Sequence, residues 1–164
     1  MDKTTKTITS NKSKIGTRYM AGVAMLSALA FVLQYLEFPI PIMPGFVKFD
    51  FSDLPALLGA FAYGPLAGVL VEFIKNLLHC AVSQSATVGE LSNFILGAVF
   101  AGTAGLIYKH KKTKKMAVTG ALAGSLLMGV ISFPSNLFIV YPFYRVAYSM
   151  DYPTIVGFYK AILP

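Results

Sequence analysis

The stretch Leu54–Val82, LPALLGAFAYGPLAGVLVEFIKNLLHCAV, determines how the rest of the chain is interpreted. It is apolar enough for a membrane interior, and Gly64 and Pro65 interrupt it near its middle. Its second half nevertheless carries four polar side chains on one helical face: Glu72, Lys75, Asn76 and His79. Ionisable groups at membrane depth cost about 2.5–3.5 kcal/mol each, so they face a partner, a cavity or a functional site. The stretch therefore predicts membrane helices with an internal polar face.

The composition of the whole chain also indicates an integral membrane protein. Of its 164 residues, 55% are hydrophobic and 13% are charged, whereas soluble domains carry about 25% charged residues. The single cysteine, Cys80, rules out an internal disulfide, and no set of His and Cys residues has metal-ligand spacing. Basic runs beside apolar spans are typical of membrane topology signals rather than of nucleic-acid binding. We therefore expect a lipid-embedded protein with no metal site and no nucleic-acid partner.

The apolar runs predict an all-α, polytopic membrane helical bundle. A Thr87–Glu90 capping box predicts a helix start at Val88, Ser52 is the expected N-cap of the second helix, and Pro134 is expected to end the fifth. Rows of small residues at helical spacing predict close helix packing. The expected helices are Tyr19–Leu36, Leu54–Tyr63, Pro65–Val82, Val88–Tyr108 and Met116–Phe133, and Thr154–Pro164 predicts the first turns of a sixth helix that is cut short.

The basic residues predict the orientation of the chain. They cluster in residues 1–18 and in the run Lys109–Lys115. The positive-inside rule places both clusters in the cytoplasm if Leu54–Tyr63 and Pro65–Val82 are separate spans; a re-entrant hairpin and one kinked span are the alternatives. We expect a cytoplasmic basic tail over residues 1–18, a single transmembrane domain over residues 19–164, and a multi-pass protein of the cell membrane.

Polar and aromatic residues are expected to meet at the outer ends of the helices. The loop Glu37–Asp53, EFPIPIMPGFVKFDFSD, is rich in proline and apolar residues, and it predicts a lid or a pocket wall. Other segments are expected to bring four more polar or aromatic residues to the same outer end: Glu90, Asn93, Asn136 and Tyr141. Glu90 could instead serve the capping box, and Tyr141 an interfacial aromatic belt. Together these residues predict an outward-facing pocket for a small, planar, mostly uncharged ligand.

The Glu72–His79 face has two interpretations. It could line a cavity or a proton path, or it could form a self-paired patch in which Lys75 extends its ammonium group to the membrane interface.

The order of these motifs resembles the substrate-binding S components of energy-coupling factor (ECF) vitamin transporters, most of all the riboflavin-specific members. The motifs are the proline-rich loop, SDLPALLG at 52–59, the Gly64–Pro65 break, EFIKNLLH at 72–79 and GELSNF at 89–94. The resemblance implies a six-helix, non-catalytic membrane subunit that binds riboflavin near the outer face and uses no cofactor. It also implies a partner T component and two ATPase subunits that consume ATP. The chain departs from the family pattern where the sixth helix is cut short.

The resemblance further implies roles for individual residues. Asn136 and Lys160 would meet the polar edge of the flavin ring, because an amide offers both a donor and an acceptor and an ammonium group offers donors. The loop around Pro41 and Phe46 would cover the ring. Further candidates near the ligand are Asn93, Glu90, Lys48 and Tyr141. In the first helix, Ala24 and Ala28 match the small-residue motif that docks the T component.

Other functions stay open at this point. An S component for a different vitamin would share the same motifs. An intramembrane enzyme would use Glu72 and His79 as acid and base, and a purely structural helix-packing subunit would bind no small molecule.

Overall fold

The computed structural model describes residues 16–39, 48–82, 88–147 and 152–160. Pro41, Phe46 and Thr87 lie outside these ranges. The helices are α1 (Thr17–Tyr35), α2 (Asp53–Tyr63), α3 (Pro65–His79), α4 (Val88–His110), α5 (Lys114–Ser135), α6 (Tyr141–Ala147) and α7 (Tyr152–Lys160), with a π-helical segment at Asn136–Val140 between α5 and α6. Two short strands, β1 (Phe38–Pro39) and β2 (Lys48–Phe49), pair antiparallel with Phe38 opposite Phe49. The predicted all-α bundle is confirmed. The two short strands pair with each other, at the two ends of the loop that follows α1.

Three helices in the described part of the chain are long and apolar enough to cross a membrane. They are α1, α4 and the continuous helix Lys114–Phe143. The predicted start of α4 at Val88 is confirmed. The central stretch instead forms the two shorter helices α2 and α3, of 11 and 15 residues. At 1.5 Å per residue they are about 16 Å and 22 Å long.

Helices α2 and α3 form an antiparallel hairpin that turns at Gly64. Gly64 has φ +104° and ψ 166°, and Pro65 follows as the first residue of α3, where its fixed φ suits a helix start. The helices pack so closely that a Cβ atom on Gly68 would lie 2.7 Å from the Ala60 Cβ and 2.9 Å from the Ala56 carbonyl oxygen. This geometry excludes one kinked span.

The core of the bundle is built largely from alanine and glycine. Its buried apolar residues are Val23, Ala30, Ala56, Ala60, Ala67, Val71 and Ala101. A Cβ atom on Gly105 would lie 2.8 Å from the Pro65 Cα, and one on Gly120 would lie 2.8 Å from the Ala104 carbonyl oxygen. Small residues allow such close backbone approach, which membrane helices use in place of a hydrophobic driving force.

The expected helix end at Pro134 is wrong. Helix α5 continues through this proline and passes into the π-helical segment, where the Tyr141 N–H donates to the Asn136 carbonyl oxygen five residues back. Pro134 cannot donate a backbone hydrogen bond, and its ring crowds the preceding turn. Local widening of the helix satisfies the neighbouring groups, as it does for prolines in other membrane helices. The backbone next to Asn136 is therefore helical and bonded.

Candidate binding site at the polar end of the bundle

The two ends of the bundle differ in charge. We call the end where α1 and α3 finish and α2 and α4 begin the polar end; the other end, at the Gly64 turn, is the basic end. The carboxylates in the described part of the chain all lie away from the basic end: Glu37, Asp50, Asp53, Glu72 and Glu90. The basic end carries Arg18, Lys109, Lys111, Lys112, Lys114 and Lys115.

Lys75 is the centre of a buried charge network at the polar end. Its side chain is fully buried, and its Nζ donates to Asp53 Oδ1 at 2.5 Å and to Ser52 Oγ at 2.7 Å. The same Nζ lies 2.9 Å from Glu72 Oε2. A buried charge is tolerated only when it is paired and hydrogen-bonded. The predicted pairing of Lys75 with Glu72 on the same helical face is therefore present, but Lys75 does not extend to the interface, because two carboxylates and a hydroxyl surround its ammonium group inside the protein.

The predicted role of the Ser52 side chain as the cap of α2 is wrong. It precedes α2, but its side chain makes no capping hydrogen bond to that helix. Its hydroxyl oxygen instead accepts a hydrogen bond from Lys75 Nζ, and its backbone N–H donates to Asp50 Oδ1 at 2.6 Å.

Glu72 and Asn76 extend the network to α1 and α4. Glu72 is fully buried against Gly97, and a Cβ atom on Gly97 would overlap the Glu72 carboxylate. The Asn76 side chain donates to the Glu72 carbonyl oxygen at 2.8 Å and accepts from Gln34 Nε2 at 3.3 Å. Helices α1 and α3 thus meet through a hydrogen bond between polar side chains, and α4 leaves room at Gly97 for the Glu72 carboxylate.

His79 and Glu90 join the ends of α3 and α4. His79 Nδ1 lies 3.0 Å from Glu90 Oε1, and the Phe31 ring packs edge-on against the imidazole with centroids 6.5 Å apart. Glu90, a predicted ligand-site residue, is buried and holds His79. Glu72 is therefore paired with Lys75, and His79 with Glu90. The structure does not bring Glu72 and His79 together as the acid–base pair that the enzyme hypothesis requires.

Asn93 and Asn136 lie close to a second contact between helices. The hydroxyl groups of Ser92 and Ser135 are 3.0 Å apart and link α4 to α5 in the buried interior. Asn93 and Asn136 are the next residues along each segment, and both are half-buried. The structure thus brings these two candidates to the same end of the bundle.

The remaining candidates are more scattered. Tyr141 is half-buried at the start of α6, and Lys160 is exposed at the end of α7. Lys48 lies in β2. The ends of the loop that contains Pro41 and Phe46 carry an aromatic cluster of Phe38, Phe49 and Phe51, in which the ring centroids are 5.3–6.3 Å apart.

Ala24 and Ala28 are exposed on α1. They alternate with the buried residues Val23, Ser27 and Ala30, which face the bundle. The two alanines are therefore available to a partner.

Sequence reasoning missed Asp53 as the partner of Lys75 and Gln34 as the partner of Asn76. A signal for the first was present, because Asp53 and Lys75 are each eleven residues from Gly64. A hairpin that turns at Gly64 brings such equidistant positions together. Nothing in the sequence marks the contact between Gln34 and Asn76, which depends on how α1 packs against the hairpin.

Comparison with known proteins agrees with this architecture. Residues 18–163 match the family model described as "ECF transporter, substrate-specific component". The chain is 41% identical over 128 residues to the riboflavin transporter RibU of Staphylococcus aureus (strain TCH60), covering 78% of this chain and 68% of the relative. It is 38% identical over 125 residues to the riboflavin transporter FmnP of Bacillus subtilis (strain 168), covering 74% and 66% of the two chains.

A solved structure, described as "Structure and mechanism of the S component of a bacterial ECF transporter", matches with a TM-score of 0.74 at 38% identity. The match covers 87% of this chain and 83% of that one. These relatives are transport components and not enzymes. With its motif order, its bundle and these matches, the chain belongs to the substrate-specific components of ECF transporters.

Proposed function

We propose that this chain is the riboflavin-binding S component of an ECF-type vitamin uptake transporter and that it binds the vitamin at the polar end of the bundle. The observation that carries the proposal is the 41% identity to a protein named as a riboflavin transporter. A second riboflavin transporter at 38% identity supports the same ligand. Riboflavin is the transported ligand in this proposal, and the chain itself performs no catalysis.

The polar end has chemistry suited to a flavin. The isoalloxazine ring is planar and apolar across its faces, and it carries an imide edge with one donor and two acceptors. The exposed rings of Phe38, Phe49 and Phe51 offer aromatic surface, since offset or edge-to-face packing stabilises such contacts. We assign Asn136 and Lys160 to the imide edge and the loop around Pro41 and Phe46 to the ring face. The residues assigned to its surroundings are Asn93, Glu90, Lys48 and Tyr141.

The buried network beneath this region would act as a rigid floor. Lys75 on α3 bonds Ser52 and Asp53 at the start of α2, and Glu90 links α4 to α3 through His79. Binding sites require supporting contacts that lock the surrounding elements in place. In this proposal Glu90 positions the site from beneath through its contact with His79.

The proposal extends to partners and orientation. Ala24 and Ala28 would dock a T component, and two ATPase subunits would supply the energy from ATP. The basic end would face the cytoplasm, because the positive-inside rule favours Lys and Arg on that side. Residues 1–18 would form a cytoplasmic tail, and residues 19–164 a single substrate-binding domain in the cell membrane.

Direct titration tests the ligand. Riboflavin fluorescence is recorded while the detergent-purified chain is added, and excess thiamine is then added as a competitor. We expect the chain to quench riboflavin fluorescence to saturation at one riboflavin per chain, and we expect thiamine not to restore it. Saturable binding of a different vitamin with no response to riboflavin would instead indicate an S component of another specificity.

Replacing Asn136 tests the assignment of the imide edge. Asn136→Ala should weaken riboflavin binding by about 1–3 kcal/mol, because the buried imide would lose its partner. Ser125→Ala is the control, since that exposed hydroxyl bonds only the preceding turn of α5. Equal affinities of the Asn136→Ala variant and the unmodified chain would remove Asn136 from the site.

A further inference from the structure

A recess lies at the basic end, away from the proposed vitamin site. It has a volume of about 370 Å³ and is lined by the α2–α3 turn and the end of α4. Its wall includes Phe61, Tyr63 and Leu66, and its rim includes Lys109 and Lys112. The recess therefore combines an apolar wall with a cationic rim.

The recess exists because the hairpin is shorter than its neighbour. The turn reaches only as far as Gly105, whose Cβ position would lie 2.8 Å from the Pro65 Cα. Helix α4 continues for five more residues to His110, which is about 7 Å at 1.5 Å per residue. The last turn of α4 and the start of the following loop therefore project beyond the turn and overhang it.

The charge at the rim is uncompensated by the described residues. Lys109 and Lys112 are both exposed, and the carboxylates of the described ranges lie away from the basic end. Arg18, Lys111, Lys114 and Lys115 add to the positive potential there. An occupant of this recess should therefore be anionic.

We propose that this recess binds the headgroup phosphate of an anionic phospholipid. The ends of membrane-spanning helices lie at headgroup depth, so the lysine ammonium groups are at the level of lipid phosphates. The glycerol and first acyl carbons of the lipid would pack on Phe61 and Leu66. Basic pockets between membrane helices are suited to such headgroups. The site is independent of which vitamin binds at the polar end.

The test compares two pairs of charge-neutralised variants. Native mass spectrometry of the detergent-purified full chain gives the apparent Kd for the first bound phosphatidylglycerol, with phosphatidylcholine as the zwitterionic probe. Lys109→Gln with Lys112→Gln removes two charges from the rim. Lys111→Gln with Lys115→Gln removes two charges from the same basic end of the bundle but from residues that do not line the recess, and it serves as the matched control.

We expect phosphatidylglycerol to bind at least about tenfold more weakly to the rim variant, because two lysines that line the recess would contact the phosphate and each contributes on the order of 1 kcal/mol at that distance. We expect less than about twofold weaker binding to the control, because Lys111 and Lys115 do not line the recess. Ala62→Trp, which places a large ring in the recess without changing charge, should also reduce binding. Equal losses in the two paired variants would overturn the proposal, because binding would then depend on general charge.

Two further results would also overturn it. Phosphatidylcholine binding as tightly as phosphatidylglycerol would show that the anionic headgroup is not recognised. Displacement of the lipid by millimolar inorganic phosphate or by a poly-glutamate peptide would indicate a soluble anion or an acidic protein segment as the occupant.

Discussion

Lys75 shows how one buried side chain sets the requirements of its neighbours. Its ammonium group is withdrawn from solvent and lies among Ser52, Asp53 and Glu72. The desolvation cost of a buried ion pair often equals or exceeds its attraction, but breaking such a pair leaves an uncompensated charge. The network is therefore more sensitive to loss of one member than to replacement of all its charges.

Lys75→Met should destabilise the protein by about 3–5 kcal/mol, because Asp53 and Glu72 would lose their buried cation. Thermal unfolding in detergent measures the effect, with Lys115→Met, an exposed lysine in the first turn of α5, as the control. Adding Asp53→Asn and Glu72→Gln to Lys75→Met should restore more than half of the lost stability. A triple variant no more stable than Lys75→Met would show that the loss comes from packing and not from charge.

Gly97 leaves the space that the Glu72 carboxylate occupies. Gly97→Ala should cost about 1–3 kcal/mol, because the new methyl group would overlap that carboxylate and force the buried network to shift. Gly102→Ala on the same helix is the matched control, since its Cβ would meet only Val69 at 3.5 Å. Chemical or thermal unfolding of both variants checks the difference, and equal stabilities would contradict the assigned contact.

The α2–α3 hairpin depends on the backbone of Gly64. Its φ of +104° combined with ψ of 166° lies in a region that residues with a Cβ rarely adopt. Gly64→Ala should therefore destabilise the protein by about 1–3 kcal/mol, although a Cβ there would meet no atom within 4 Å.

Gly16→Ala isolates this conformational effect. A Cβ on Gly16 also meets nothing within 4 Å, but its φ is −69°. We expect it to be neutral in the same unfolding experiment. If the two variants proved equally stable, the hairpin would not depend on the backbone conformation that glycine allows at position 64.

Proline acts differently at two positions among the helices. Pro65 follows Gly64 and starts α3, whereas Pro134 lies inside α5 and is followed by the π-helical segment. At position 65 the turn already separates two helices that pack side by side. At position 134 the chain continues along one axis, so the helix widens instead of ending.

At the scale of the whole molecule, the exposed small-residue face of α1 is the proposed site of complex assembly. Replacing Ala24 and Ala28 together by leucine should leave riboflavin affinity unchanged and abolish co-purification with the T component and the ATPase subunits. The reason is that close helix approach in lipid requires small side chains. Gly129→Leu, on the exposed side of α5 with no atom within 4 Å of its Cβ position, is the control. Assembly that survives the alanine replacements would place the docking surface elsewhere.

Much of the architecture follows from the linear order of residues. Apolar runs, the Gly64–Pro65 break and the helix start at Val88 were predicted correctly, because helix formation and membrane insertion depend on local composition and on hydrogen bonds within a segment. Rows of small residues predicted close helix packing, and Gly97, Ala101 and Gly105, which form one such row, are buried in α4. Of the predicted polar site residues, the structure places Glu90, Asn93 and Asn136 at one end.

The local pattern failed where a residue's partner comes from another helix. The sequence pattern predicted Ser52 as a helix cap and, in one interpretation, Lys75 as an interfacial lysine. Sequence position shows only the neighbours of a residue along the chain. The tertiary fold turned both toward the interior, where Asp53 and Glu72 complete the coordination of the ammonium group.

The sequence by itself determined that this protein is a membrane helical bundle with a break in its central stretch, because insertion energy and backbone satisfaction are properties of each segment. Only the tertiary structure decided that the break is a hairpin, that Lys75 is buried, and that Gln34 meets Asn76. Those outcomes depend on the approach of separate helices, which small residues permit and buried charges then specify.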